Sequence, residues 1–154
     1  MNSKILSIAV PCYNSQAYME KCINSLLEGG EEVEIIIVDD GSAKDDTAAI
    51  ADGYAEKYPT IVKAVHQENG GHGEAVNTGL ANATGAFFKV VDSDDWVDKK
   101  AYRKLLDIMK KSLADDDKLD MLISNFVYDK QGAHHKKVMS YHNVLPKDKY
   151  FTWQ

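Results

Sequence analysis

Three carboxylates, Asp92, Asp94 and Asp95, follow directly on the apolar run Phe88-Lys89-Val90-Val91, with Ser93 between them and Trp96 after them. A run rich in Val and Phe is a buried strand, so the acids stand at a strand tip. Acids this close repel one another unless a cation lies among them. A strand tip fixes their positions, as a hard divalent ion bridging to phosphate oxygens requires. The same residues also suit a solvated turn in which Asp and Ser cap the next helix. A second acidic strand end, Asp39-Asp40-Gly41-Ser42, favours the ligand reading.

Alternating strands and helices must position these groups. Lys4–Val10 is a β-branched strand stopped by Pro11, and Ser15 can cap a helix with Tyr18, Cys22, Ile23, Leu26 and Leu27 on one face, ended by Gly29-Gly30. Val33–Val38 is aliphatic almost throughout, as in a strand buried on both faces. Asp45 or Asp46 opens a second helix with Ile50, Tyr54 and Tyr58 in register, and Pro59 follows it. Ile61–Val65 is a third strand, a short helix spans about Glu74 to Ala83, and Ala86–Val91 is the fourth strand. Asp98 caps an amphipathic helix carrying Tyr102, Leu105, Leu106, Met109 and Leu113. Met121–Ile123 reads as a further strand, with Phe126–Tyr128 continuing it or starting another, and Gln131-Gly132 as a hairpin turn. The order βαβαβαβαβ predicts a mainly parallel sheet with helices on both faces.

Ligands of open parallel sheets bind outside the carboxyl ends of the strands. Four polar or glycine-rich segments fall there: Pro11-Cys12-Tyr13-Asn14, Asp39-Asp40-Gly41-Ser42, Glu68-Asn69-Gly70-Gly71-His72-Gly73 and Asp92-Ser93-Asp94-Asp95-Trp96. The second offers a carboxylate to a pyrimidine N–H or to ribose hydroxyls, and Tyr13 a stacking face. The third suits an anion, since glycines admit close backbone approach, yet it lacks the spacing and Lys of a P-loop. His72 reads as a structural or solvent-facing residue. His134 and His135 stand beside Lys136 and Lys137, which disfavour a cation, so they read as a solvated loop.

At 154 residues and a net charge of −6, the chain is about one domain and lacks the basic character that sequence-independent nucleic-acid binding needs. No apolar stretch reaches the ~20 residues of a membrane span, and the N-terminal segment lacks the pattern of a signal peptide. Cys12 and Cys22 make no disulfide framework; Cys22 falls on an apolar helix face as a small buried hydrophobe. A reducing cytoplasmic setting is the expectation. Tyr150, Phe151 and Trp153 near the C-terminus need burial, which predicts an N-terminal piece of something longer.

Together these segments resemble the nucleotide-sugar-binding half of the family 2 glycosyltransferases. The resemblance rests on Val10-Pro11-Cys12-Tyr13-Asn14, Ile37-Val38-Asp39-Asp40-Gly41-Ser42, Asn69-Gly70 with Asn77-Thr78-Gly79, and Val91-Asp92-Ser93-Asp94-Asp95-Trp96. They occur in the family's order and spacing over roughly residues 4–128. The resemblance implies an α/β GT-A fold, with 1–128 the donor-binding domain and 129–154 the start of a truncated acceptor-side region. It implies a nucleotide-sugar site of Pro11, Tyr13, Asn14, Asp39, Asp40, Gly71, Asp92 and Ser93. Asp40, or its neighbour Asp39, would hold the pyrimidine, and Asp92 would contact ribose or metal. Asp94 would be the main ligand of Mn2+ or Mg2+, assisted by Asp92 and Asp95. The donor would be a UDP-sugar, with thymine or guanine as alternative bases. The acceptor would be a lipid-linked, protein-linked or surface glycan, attacked with inversion, on the cytoplasmic side of a membrane that a C-terminal part could engage.

The catalytic base of this family lies well downstream of the Asp-x-Asp segment, so no base is assigned. Asp115, Asp116, Asp117 and Asp120 follow the last good helix as its solvated exit. The expectation is a piece that binds donor and transfers poorly or not at all. Among rivals, a haloacid-dehalogenase phosphotransferase would carry Asp-x-Asp on the first strand, where this chain has Pro-Cys-Tyr-Asn. A sugar nucleotidyltransferase would want a longer glycine-rich loop with a basic residue after that strand. A non-catalytic binding module is the rival of another class; metal-dependent nucleotide binding would separate it from the enzyme lineage.

Overall fold

A computed structural model describes residues 4–115, 119–129, 136–146 and 149–152. Its centre is a parallel four-stranded sheet. Strand β1 (Leu6–Cys12) pairs on one side with β2 (Val33–Asp39) and on the other with β4 (Phe87–Val90); β3 (Val62–His66) borders β2. The order β3-β2-β1-β4 places the tips of the two acidic strands on either side of the end of β1. All seven residues of β1 are buried, as are all of β2 except Glu34, as the aliphatic runs predict.

Helix α1 (Met19–Leu26) turns Met19, Cys22, Ile23 and Leu26 inward. Helix α2 (Thr47–Lys57) buries Thr47 and Ala51 and stacks Tyr54 on Tyr58. Helix α3 (His72–Ala81) sets Ala75 against Ile36 and Val38. It approaches β1 so closely that a Cβ on Gly79 would lie 2.4 Å from the Cβ of Ala9, so only glycine fits there. Helix α4 (Lys99–Ala114) buries Tyr102, Leu106 and Met109, and the side chain of Asp98 caps it through the Ala101 N–H at 2.9 Å. Both cysteines are buried, and burial pushes each thiol up to about 12, so neither is a nucleophile.

Several expectations need correction. Pro11 does not stop the first strand: β1 runs through it to Cys12, at the loss of only the one ladder donor that proline lacks. Ser15 does not cap α1. Its hydroxyl instead accepts from the Tyr13 N–H at 3.0 Å, and the helix begins only at Met19, behind a turn closed on the Ser15 carbonyl. That delay rotates Tyr18 outward and Met19 inward. Leu113 is exposed in the last turn of α4 and Leu105 sits at the margin of its buried face. Met121–Ile123 forms no strand; β5 (Phe126–Tyr128) pairs antiparallel with β6 (Lys137–Met139) in a sheet of its own. The chain divides into two compact units, Met1–Lys118 and Leu119–Gln154. Gln131, Gly132, His134, His135, Asp116, Asp117 and Trp153 lie outside the described residues.

At the amino ends of the strands Glu34 ties the sheet to the α3–β4 connection. Its Oε1 accepts from the hydroxyl of Ser7, opposite it in the ladder, and from Thr84 Oγ1 at 2.9 Å and the Gly85 N–H at 3.1 Å. Burial alone would raise its carboxyl, but the donors of Ser7, Thr84 and Gly85 outweigh that and hold it below the usual glutamate range. A lowered folded pKa adds stability above the unfolded value, near 4.3, and loses it as pH falls through the folded value. Urea unfolding of Glu34→Ala should therefore show a loss on the order of 1–2 kcal/mol at pH 7 that shrinks in acid. A loss of equal size at every pH would contradict this.

Candidate active site

The four segments at the carboxyl ends of the strands are tied to one another side chain by side chain. Asn14, just past β1, takes a left-handed φ of +49°, which asparagine tolerates better than most residues. In that position its N–H donates to Ser42 Oγ at 2.9 Å and its Oδ1 accepts from the Lys44 N–H at 3.1 Å. Ser15 donates its N–H to Thr47 at 2.7 Å and shares a 3.0 Å hydroxyl contact with Ser93. The end of β1 is thereby fastened to the loops after both β2 and β4. Tyr13 is half exposed, while Pro11 is buried within β1.

Asp39 and Asp40 divide the work of holding the end of β2, and both are buried. Asp39 Oδ1 accepts from the Ser42 N–H at 3.0 Å. Its Oδ2 meets His66 Nδ1 at 3.1 Å, and His66 Nε2 meets Asp52 of α2 at 2.9 Å. These two carboxylates, Asp52 first and then Asp39, push the imidazole pKa up. Asp40 reaches in the other direction, to the glycine-rich loop: Gln67 Nε2 and the Gly70 N–H donate to its Oδ1 at 2.7 and 2.8 Å, and the Gly71 N–H to its Oδ2 at 2.9 Å. Burial would raise its carboxyl, yet the donors of Gly70, Gln67 and Gly71 outweigh it and hold Asp40 below the usual aspartate range. Gly41, at φ +72°, permits this crossing, since a Cβ there would lie 2.8 Å from the Asn69 nitrogen. The buried Oε1 of Gln67 has no hydrogen-bond partner among the described residues, which leaves an unfilled acceptor in this wall.

Beyond β4, Asp92, Asp94 and Asp95 are exposed and Ser93 points inward. The tip is closed by the Asp95 N–H on the Asp92 carbonyl at 2.9 Å, with Cys22 Sγ of α1 donating to the same carbonyl at 3.6 Å. Partial burial, then the charges of Asp94 and Asp92, raise the Asp95 carboxyl; a cation would relieve that repulsion. Among the described residues no three His, Cys, Asp or Glu side chains converge where they could hold one ion, so Asp92, Asp94 and Asp95 form no ready cage. A pair of these carboxylates could still meet one cation. Oxygen donors in that number fit a hard cation that keeps its other positions for water and phosphate oxygens.

Two contacts had no clear signal in the sequence. His72, the first residue of α3, sets its Nε2 2.8 Å from Asp92 Oδ1. Lys21 of α1 places its ammonium 3.0 Å above the ring of Trp96, which steadies the residue that follows the acidic tip.

The family model for glycosyl transferase family 2 matches residues 7–150. The chain belongs to glycosyl transferase family 2. Its relatives include the uncharacterized glycosyltransferase EpsJ of Bacillus subtilis, 38% identical over 112 residues, which are 72% of this chain and 32% of EpsJ. The glycosyltransferase GlyG of Streptococcus pneumoniae is 36% identical over 115 residues, 73% of this chain and 38% of GlyG. The chain thus spans about a third of the length of these relatives. Among solved structures, TarS 1–349 of S. aureus, also known in complex with UDP, superposes with a TM-score of 0.60 at 33% identity, over 71% of this chain and 33% of TarS. The mannosyltransferase PcManGT of Pyrobaculum calidifontis, in complex with GDP-Man and Mn2+, gives 0.59 at 28% identity, over 75% of this chain and 34% of that one. The fold is the GT-A fold expected from the motifs.

Proposed function

We propose that this chain is the donor-binding part of an inverting glycosyltransferase that uses a nucleoside-diphosphate sugar and a divalent metal. The observation that carries the reading is the hydrogen-bonded closure of the four strand-end segments around the tip of β1: Asn14 to Ser42, Ser15 to Ser93, Asp40 to Gly70 and Gly71, and His72 to Asp92. Tyr13 stacks on the base while Asn14 keeps it in place. Asp40 accepts from the base N–H, using the lone pair left on Oδ2, and the unfilled Oε1 of Gln67 adds acceptor capacity beside it. Asp39 holds the loop after β2 through the Ser42 N–H, and the exposed Gly71 lets the donor's phosphates come close to the backbone. Asp94, with Asp92 or Asp95, holds Mn2+ or Mg2+, which would neutralise charge on the leaving diphosphate.

Uracil is the base favoured, in line with the UDP complex of TarS; the GDP-Man complex of PcManGT keeps guanine as the alternative. The acceptor is a hydroxyl of a lipid-linked, protein-linked or surface glycan, and the setting is cytoplasmic, at the inner face of a membrane when the acceptor is lipid-linked. No described helix is long and apolar enough to cross a membrane. The chain spans about a third of the length of its relatives and no catalytic base is assigned within it, so the expected behaviour is donor binding without robust transfer; efficient turnover would overturn that statement. Saturation-transfer NMR with a UDP-sugar tests the binding mode. The base and ribose protons should receive more saturation than the sugar protons; a sugar-centred pattern would contradict the assignment.

A further inference from the structure

The side chains of His72 and Asp92 are 64% and 53% exposed, and an exposed ion pair holds its own geometry only weakly. This one is held from behind. Asp40 accepts from the Gly70 and Gly71 N–H groups, so the buried carboxylate just past β2 fixes the backbone from which His72 projects. The Asp92 backbone is fixed independently, through the Asp95 N–H and the Cys22 thiol on its carbonyl. Two separately anchored side chains, 20 residues apart in sequence, therefore meet at 2.8 Å. The contact engages one oxygen of Asp92.

We propose that His72 is a positioning residue that fixes the carboxylate of Asp92, holding Oδ1 so that Oδ2 serves the cation accompanying a nucleoside diphosphate. This rests on the donor-site reading and adds to it a residue outside the family motifs. A carboxylate that ligates a metal is commonly held by a hydrogen-bond partner of its own, and loss of that partner typically costs roughly 10–100-fold in metal affinity. His72 acts only through Asp92.

Mn2+ alone, titrated into the 154-residue chain while the imidazole signals are followed by proton–nitrogen NMR, tests the placement; His72→Gln identifies the His72 signal. Paramagnetic broadening should reach His72 before any other histidine. Broadening of another imidazole first, or of none, overturns the proposal. Calorimetry then separates positioning from folding. His72→Ala should lose about tenfold or more in Mn2+ affinity, and His72→Gln, whose amide N–H can still reach Asp92, should recover most of it. Both should melt within about 1 °C of the parent, as loss of an exposed pair implies. Parent-like Mn2+ binding by His72→Ala overturns the proposal. Mn2+ binding that broadens His72 while UDP, GDP and dTDP all fail to bind would leave it standing and overturn the donor reading instead.

Discussion

Replacing Asp40 with alanine should weaken nucleotide binding by at least tenfold even with no metal present, and should destabilise the fold. The carboxylate is buried and accepts three hydrogen bonds, from Gln67, Gly70 and Gly71. Removing it leaves the donors of the glycine-rich loop without their acceptor, on the order of 1–3 kcal/mol for a charged acceptor lost. The loop then loses the anchor that ties it to the end of β2. Acid provides a second check. Asp40 is held below the usual aspartate range, so its contribution is complete above the unfolded value near 3.9 and fades as pH falls through the folded value. Asp40→Asn, which cannot ionise, should show a flatter dependence of stability on pH below 4. Parent-like binding and melting by Asp40→Ala would remove Asp40 from the site.

Asp94→Ala should have the opposite profile. Asp94 is exposed on the loop after β4, so folding stability should stay within about 0.5 kcal/mol of the parent. The part of nucleotide affinity that depends on Mn2+ should disappear, a loss of roughly 10–100-fold or more. Removing this charge also relieves Asp95, whose carboxyl is raised by burial and by Asp94 and Asp92. Titration of Asp95 by NMR should therefore move toward the ordinary range. An undiminished Mn2+ effect in Asp94→Ala would exclude it as the main metal ligand.

These contrasting outcomes follow from how the two acidic strand ends are built, and the sequence revealed that difference only in part. The almost wholly aliphatic Val33–Val38 and the Val-rich approach to Asp92 were legible as buried parallel strands because burial on both faces demands such runs. Asp98 was legible as a cap because the motif is local. Once the strands are parallel, four polar segments must share one edge, so their convergence was legible too. What escaped depends on tertiary contacts. A lone histidine in a glycine-rich loop gives no hint that it will meet a carboxylate 20 residues onward, and neither Lys21 nor Trp96 identifies the other. Ser15 has the right type for a cap, but its hydroxyl is drawn to the Tyr13 amide and to Ser93. Met121–Ile123 is apolar enough for a strand but finds no ladder partner, whereas Phe126–Tyr128 pairs with Lys137–Met139.

The most direct test of the central claim is calorimetric titration of the chain with UDP, GDP and dTDP, each in Mn2+ and in EDTA. Binding should be selective for one nucleoside diphosphate, with UDP the expected one, and should strengthen when Mn2+ replaces EDTA. Equal and metal-indifferent binding of all three, or binding of none, would contradict a metal-assisted nucleotide-sugar site at the strand ends of this domain.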